Sequence, residues 1–399
     1  RARHRCSAQA FGHVPKKHLG EAIGNMNIEG NPTGTPEVLK TPEIVVQEER
    51  GAQLFSLLLK AENPHWGETE TPLARETTEY FKNNPLDPNI LKTIREFREQ
   101  GIDEETLYNA ALTYQHPERI DGLFEMAEKH KSHVKNPREA HKILMTLLES
   151  VDQSFSSSPL AGKFSAEIEL DRTERLQKME ETKRWVESLI TFFKPDARTT
   201  SIRKLSFVPT DPLYRKNSGR AFSDFPGEQI IISHIDNVDN QKHKFLHGII
   251  NPIVDALSEK LTDEQKIKIS QLGSGKLRQD YGEGYYSLLC EELIRTYLEV
   301  FRRGKTPESY EEFDKKIAGL SDVIFQEELR YNRFLKVRCD KLGIQNADDF
   351  RNKSKEYFEK FEKNKLRALL LELYQEYESR PDKNVNFEQF VQSRLANKL

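Results

Sequence analysis

Two histidines separated by three residues are the feature of this sequence best suited to chemistry. His243 and His247 lie in a stretch that is expected to be helical and largely packed against protein, because Phe245, Leu246 and Ile249 surround them. Residues four apart on a helix lie on the same face, one turn above the other. Two imidazoles so placed can bind one zinc ion through nitrogens roughly 2.0–2.1 Å from the metal. The spacing therefore predicts a zinc-binding helix, and the alternative is a pair of ordinary core histidines.

A third ligand is available in a later segment, residues 285–298, whose apolar residues recur at helical spacing. Glu291 shares a face with these apolar residues, whereas Glu292 is expected on a wetter side of the helix. Burying a carboxylate without a cation or strong donors is costly. We therefore predict that Glu291 completes the metal site, with a salt bridge to Lys244 or Arg295 as the alternative.

Several other residues in the same part of the chain are candidates for supporting roles. Tyr281, Tyr285 and Tyr286 come shortly before Glu291, and His234 comes before the histidine pair. A tyrosine or histidine beside a metal can stabilise a developing oxyanion or contact a substrate. Tyr281, Tyr285 and His234 are therefore candidate oxyanion or substrate contacts, and the alternative for each is packing or simple surface exposure.

Most of the chain that must position these residues has a helical pattern. Residues 46–160 place apolar side chains at helical spacing, with breaks rich in Pro, Gly and Ser. The pattern predicts a helix that begins at Pro88 and helices over 72–81, 103–114, 119–130 and 137–151. Beyond residue 241 the helical pattern returns and ends in a charged tail, whose apolar residues are expected to pack on the core or on a partner chain.

Three short segments favour strands. Residues 164–170 and 204–208 alternate apolar and polar side chains, and residues 229–234 are rich in isoleucine. A helix is predicted over residues 172–193, between the first two strands. The expected fold class is therefore α+β, a small sheet within a mostly helical chain.

The composition argues against two classes of function. The chain has 399 residues and a formal net charge of −3, whereas general nucleic-acid binders and membrane-surface proteins usually carry a basic excess. No run approaches the roughly 18 apolar residues of a membrane span.

The three cysteines, Cys6, Cys290 and Cys339, are widely spaced and predict reduced thiols, which favours the cytoplasm. Cys290 is expected to be a core residue.

Taken together, these residues resemble a bacterial family of unknown function with a gluzincin-type zinc metallopeptidase domain. That family has a helix with a pattern like H-E-F-x-H-x-x-x-N-P and a later helix with a pattern like N-E-x-L-V-R. The matching residues are His243, Phe245, His247, Asn251 and Pro252 in the first pattern, and Glu291, Leu293, Ile294 and Arg295 in the second. The resemblance spans roughly residues 48–300.

The resemblance implies a zincin-like domain in which His243, His247 and Glu291 hold Zn²⁺ beside a cleft for a peptide or protein ligand. Zinc peptidases commonly run a strand along such a cleft, where a substrate can add as a further strand. Residues 229–233 end shortly before the histidine pair and are the expected cleft strand.

The sequence departs from the family's pattern between the two histidines. The family has a glutamate there, which takes a proton from zinc-bound water, and this chain has Lys244. A protonated lysine cannot accept a proton, and it places a positive charge beside the metal. We therefore expect a degenerate zinc metallopeptidase homologue, weak or inactive in hydrolysis, that retains a peptide-binding cleft.

Three alternatives stay open at this point. The chain could be a working zinc hydrolase with a different base. It could hold the site together without a metal, through an ion pair between Lys244 and Glu291. It could also be a helical interaction protein with no metal site. For the zincin-like reading, the expected organisation is a flexible leader over 1–45, a helical region over 46–160, a zincin-like domain over 161–340 and a helical extension over 341–399.

Overall fold

A computed structural model describes most of the chain from Val38 to Leu399. The described residues are 38–99, 102, 104–129, 136–197, 200, 202–210, 212–214, 219–225, 227–273, 284–302, 319, 321–331, 339, 343–352, 365–382 and 384–399. They form two compact units, of which the first ends at Pro252 and the second runs from Ile253 to Leu399. The boundary falls inside the range 161–340, which the sequence predicted as one domain.

The first unit is largely helical. Thr71 and Asn136 show why two of its helices begin where they do: each side chain accepts a hydrogen bond from a backbone N–H of the first turn, and a proline follows each. The helices are α1 (Arg50–Glu62), α2 (Pro72–Asn83), α3 (Pro88–Glu99), α4 (Glu104–Ala111), α5 (Ile120–Lys129), α6 (Pro137–Ser156), α7 (Ala161–Gln177) and α8 (Met179–Phe193). The helices predicted between residues 46 and 160 are confirmed.

A four-stranded mixed sheet completes the first unit. Its strands are β1 (Glu43–Val46), β2 (Lys204–Val208), β3 (Gly219–Phe225) and β4 (Glu228–Ser233). They lie in the order β1-β2-β4-β3, with β1, β2 and β4 parallel and β3 antiparallel to β4. The isoleucines of β4 are buried, as expected for a strand covered on both faces. The α+β class and the strands predicted over 204–208 and 229–233 are confirmed.

Two predictions next to the sheet are wrong. Residues 164–170 belong to helix α7 and form no strand. Phe164 and Ile168 are buried one helical turn apart, so the polar–apolar alternation in this segment comes from a helix with a narrow apolar face. The single helix predicted over 172–193 is two helices, α7 and α8, which meet at Lys178.

β1 and β3 have no counterpart among the predicted strands. β1 lies at the end of the predicted leader, whose residues 1–37 are outside the described part of the chain. The prediction that a peptide adds to residues 229–233 is also wrong, because β4 already has β2 on one side and β3 on the other. Within the described sheet, only β1 and β3 are edge strands.

The buried guanidinium of Arg119 joins three parts of the first unit. It donates to Glu49 at the start of α1, to the Leu112 carbonyl after α4 and to Glu228 at the start of β4, over 2.9, 2.8 and 3.1 Å respectively. Burial disfavours the charged guanidinium, but the hydrogen bonds and charges of Glu49 and Glu228 outweigh it and raise the pKa of Arg119. The carboxylates of Glu49 and Glu228 therefore compensate the buried charge of Arg119, and the resulting ion pairs and hydrogen bonds join the three parts of the unit.

Replacing Arg119 with methionine is expected to destabilise the protein strongly. The variant keeps a long apolar side chain but leaves Glu49 and Glu228 buried without their cation, which costs about 3–5 kcal/mol when one partner of a buried pair is removed. Chemical denaturation monitored by circular dichroism measures the change. Arg172→Met is the control, because Arg172 forms an exposed pair with Glu169 and its loss is expected to cost less than about 1 kcal/mol. Equal effects of the two substitutions would contradict the role given to Arg119.

The second unit is helical throughout its described part. Helix α9 (Val238–Ser258) crosses the boundary between the units and supplies its last turns to the second. The other elements are α10 (Asp263–Leu272), α11 (Tyr285–Arg295), a π-helical segment (Thr296–Phe301), α12 (Asp322–Tyr331), α13 (Lys365–Ser379) and α14 (Phe387–Lys398). Among the described helices of both units, none is long and apolar enough to cross a bilayer.

Candidate metal centre

Gly248 allows helix α9 to pack closely against the sheet. A Cβ atom added to Gly248 would lie 2.5 Å from Ile202 Cδ1 and 2.9 Å from Gln229 Nε2. Gln229 is fully buried in β4, and its amide donates a 2.9 Å hydrogen bond to the backbone carbonyl of Lys244. The missing side chain at Gly248 and the hydrogen bond from Gln229 together set the distance between α9 and the sheet. They thereby also set the position of the two histidines on α9.

The two histidines of α9 converge as the sequence predicts. His243 Nε2 and His247 Nε2 are 3.2 Å apart. Two nitrogens bound to one tetrahedral zinc ion at 2.0–2.1 Å would be separated by roughly 3.3 Å. The pair therefore presents two nitrogens at the spacing that a single zinc ion requires.

Asn251 contacts the other nitrogen of His247. Its Oδ1 lies 3.3 Å from His247 Nδ1, and an amide oxygen can only accept a hydrogen bond. The contact therefore places the proton on Nδ1 and favours the tautomer whose Nε2 can bind a metal. Outer contacts of this kind fix both the tautomer and the ring orientation of metal-binding histidines.

Glu291 completes a triad with the two histidines. The candidate ligand atoms of His243, His247 and Glu291 all lie within 4.8 Å of one another. Glu291 lies on α11 and is only 5% exposed, and its Oε2 accepts a 3.0 Å hydrogen bond from Arg295 Nε. The triad predicted from the sequence is thus present, and so is the Arg295 salt bridge that was its alternative. Because a carboxylate has two oxygens, one can bind Arg295 while the other binds a metal.

The donor set fits zinc. Two imidazole nitrogens and one carboxylate oxygen are the protein ligands of a catalytic zinc ion, whose fourth position is left to water or substrate. The outer contacts of this triad are also of the expected kind, since Asn251 orients an imidazole and Arg295 holds the carboxylate.

Helix α11 meets the last turns of α9 through a polar cluster in which Cys290 is buried, Tyr286 is partly buried and Asp255 is exposed. Tyr286 is hydrogen-bonded to both Asp255 and Cys290, and burial, reinforced by the charge of Asp255, raises the pKa of Tyr286. Burial also raises the pKa of the Cys290 thiol, with further contributions from Asp255 and Glu291. Cys290 is 3% exposed, which confirms it as a core residue, and its raised pKa makes it a poor nucleophile.

The remaining candidates from the sequence lie outside the triad. Tyr285 is at the first position of α11, with Lys266 Nζ 5.7 Å from its ring centroid. His234 directly follows β4, and its Nδ1 accepts a hydrogen bond from the backbone N–H of Asp236. Tyr281 lies outside the described residues.

Lys244 follows the first histidine and is partly exposed. Its backbone carbonyl accepts the hydrogen bond from Gln229. This contact holds the backbone at residue 244 and does not depend on the side chain at that position. A lysine at this position adds positive charge to a site whose acidic member, Glu291, already binds Arg295.

Glu292 corrects a prediction about the face that α11 turns to solvent. It was expected on the wetter side, but it is fully buried and pairs with Arg367 on α13 at 2.9 Å. No local pattern in the sequence indicates this partner, which lies 75 residues further along the chain. The sequence analysis also missed the supporting contacts of Gln229 and Gly248. A glutamine and a helical glycine are common in any sequence, and nothing in the sequence marks the tertiary contacts that these two make.

No family model, curated protein or solved structure matches this chain.

Replacing Gly248 with alanine is expected to destabilise the protein. The new methyl group would collide with Ile202 and Gln229 in a packed interior, and overpacking of this kind typically costs about 1–3 kcal/mol. Thermal and chemical denaturation would measure the loss.

Gly162→Ala is the matched control for this substitution. Gly162 lies in helix α7, and a Cβ there meets nothing within 4 Å. Alanine is expected to stabilise this helix by about 0.4–1 kcal/mol. If Gly248→Ala were stabilising to the same extent, α9 would not be held by close contact with the sheet.

Proposed function

We propose that this protein is a degenerate, gluzincin-like zinc metallopeptidase homologue that binds zinc at His243, His247 and Glu291 and has weak or no peptide hydrolysis. The observation that carries the proposal is the 3.2 Å separation of the two Nε2 atoms on a helix whose triad is completed by a buried carboxylate. This donor set and the preceding mixed sheet are those expected for a zincin-like domain.

The side chains around the triad have separable tasks in this proposal. Asn251 keeps the proton of His247 on Nδ1, and Arg295 holds one oxygen of Glu291. Zinc, when bound, would supply Lewis acidity toward a peptide carbonyl. Binding and orientation of a peptide then fall to the protein surface beside the triad.

Lys244 is the reason to expect weak hydrolysis. The position after the first histidine is where a glutamate would accept the proton of the attacking water, and a protonated lysine cannot do so. An ammonium about 4–5 Å from a metal would also repel each unit of metal charge by roughly 3–4 kcal/mol at an effective dielectric near 20. The substitution therefore removes the base and weakens zinc binding together.

A peptide ligand would add to the sheet at β3 rather than at β4. β3 is the edge strand next to β4, and it lies close to α9, because a Cβ on Gly219 would meet the Asn240 side chain at 1.8 Å. An antiparallel edge strand next to the helix that carries the ligands is a suitable place for an extended peptide to pair.

Metal analysis of the purified protein and of Lys244→Glu tests the proposal directly. We expect the unaltered protein to bind zinc, and Lys244→Glu to bind it at least about tenfold more tightly, because a repulsive charge becomes attractive. Mass spectrometry of the metal and competition with a chromogenic chelator measure the two quantities, on protein made without a histidine tag. Hydrolysis of a casein substrate is expected to rise in Lys244→Glu.

The control for this experiment is His243→Ala, which removes one ligand and should abolish stoichiometric zinc binding in both backgrounds. Absence of zinc from both the unaltered protein and Lys244→Glu would refute the metal centre. Robust hydrolysis by the unaltered protein, lost in His243→Ala, would instead identify a working enzyme with a different base.

Replacing Asn251 with leucine is expected to weaken zinc binding by roughly 10- to 100-fold, the usual effect of removing an outer hydrogen-bond partner of a metal ligand. Asn251→Asp keeps an acceptor oxygen opposite His247 Nδ1 and should stay within a few-fold of the unaltered protein. The same chelator competition measures both variants. Equal affinities for Asn251→Leu and the unaltered protein would show that His247 is oriented by other means.

A further inference from the structure

Helix α11 carries two neighbouring glutamates with different partners. Glu291 belongs to the triad, and Glu292 is fully buried on the side that faces helix α13. Arg367 of α13 donates to Glu292 through Nε over 2.9 Å. A buried carboxylate is tolerated only when a cation or donors compensate it, so α11 is stable only in the rotation that keeps Glu292 against Arg367.

A second contact between α11 and α13 lies further along α13. The hydroxyl of Tyr374, two turns beyond Arg367 on α13, donates a 3.0 Å hydrogen bond to the backbone carbonyl of Leu293. Tyr374 is fully buried, and its ring stacks on that of Phe387 with centroids 5.0 Å apart. Two contacts separated along α13 oppose both rotation and sliding of α11.

The segment after α11 brings a third group to the same arginine. Thr296–Phe301 is π-helical, with Arg302 N–H bonded to the Tyr297 carbonyl. Glu299, within this wider turn, accepts a 3.2 Å hydrogen bond from Arg367 Nη1. Arg367 therefore binds acidic side chains both before and after the change of helix type.

We propose that Arg367 is a positioning residue of the metal centre and that helix α13 is part of that centre rather than an appended element. Neighbouring positions on a helix point about 100° apart, so anchoring Glu292 on α13 determines the direction in which Glu291 points. Arg367 acts on the metal through this rotation and has no contact with the reacting atoms. This inference rests on the proposed function, since it assigns a role in zinc binding.

The test compares Arg367→Met, Arg367→Lys and Lys398→Met. Lys398 is the matched control, because it forms ion pairs with Glu372 and Glu376 of α13 that are more exposed than the Arg367–Glu292 pair. Zinc affinity is measured by chelator competition. The rate at which iodoacetamide alkylates Cys290 is measured by peptide-resolved mass spectrometry on zinc-free protein, and reports the packing of α11 without any metal.

We expect Arg367→Met to bind zinc roughly 10- to 100-fold more weakly, as for loss of an outer contact of a metal ligand. Cys290 should be alkylated at least several times faster in this variant. Arg367→Lys keeps the charge but not the forked geometry and should be intermediate. Lys398→Met should match the unaltered protein in both measurements.

Unchanged zinc affinity in a folded Arg367→Met would overturn the inference while leaving the metal centre in place. If Arg367→Met does not fold, Tyr374→Phe removes only the hydroxyl that binds the Leu293 carbonyl, and a several-fold loss of zinc affinity in that variant is then required. Where zinc binds measurably only to Lys244→Glu, the comparison is made in that background. Failure of zinc to bind to either background refutes the proposed function, and this inference with it.

Discussion

A carboxylate removed from water must be met by a cation, and this requirement shapes both units of the protein. In the first unit, Glu49 and Glu228 converge on Arg119 and so connect α1, the turn after α4 and the start of β4. In the second, Glu292 fixes α11 against α13 through Arg367. Such pairs add little net stability over apolar packing, but breaking one is costly, and they therefore specify one arrangement among many that would bury similar apolar area.

The triad is a further instance of the same requirement. Glu291 is buried next to two imidazoles, with Arg295 on one side, and a divalent cation would complete the compensation. Lys244, next to the first histidine, adds a basic side chain to this part of the chain. The surrounding scaffold, with Gln229, Gly248 and Asn251 in place, nevertheless has the contacts that a metal-binding helix needs. The described residues therefore combine a candidate metal triad with a lysine next to its first histidine.

What the sequence predicts well is what depends on neighbouring residues. His243 and His247 are one turn apart on any helix, and Glu291 was found because a carboxylate in an apolar stripe is conspicuous. The predictions that failed depend on partners far away in the chain. The segment 164–170 alternates like a strand but is part of helix α7, whereas β1 pairs with β2, which lies more than 150 residues further along the chain. Glu292 was misplaced for the same reason, since Arg367 is distant in sequence.

The register of β1 also determines the order in which the protein can fold as it is made. Glu43 pairs with Lys204 in parallel, so β1 leaves the ribosome long before its only described strand partner exists. At 5–20 residues per second, the wait is roughly 8–30 s. The eight helices encoded in between have local contacts and can form during that interval, whereas the sheet cannot close. During synthesis, the β1 segment of this protein therefore waits without β2 while the helices between them are made.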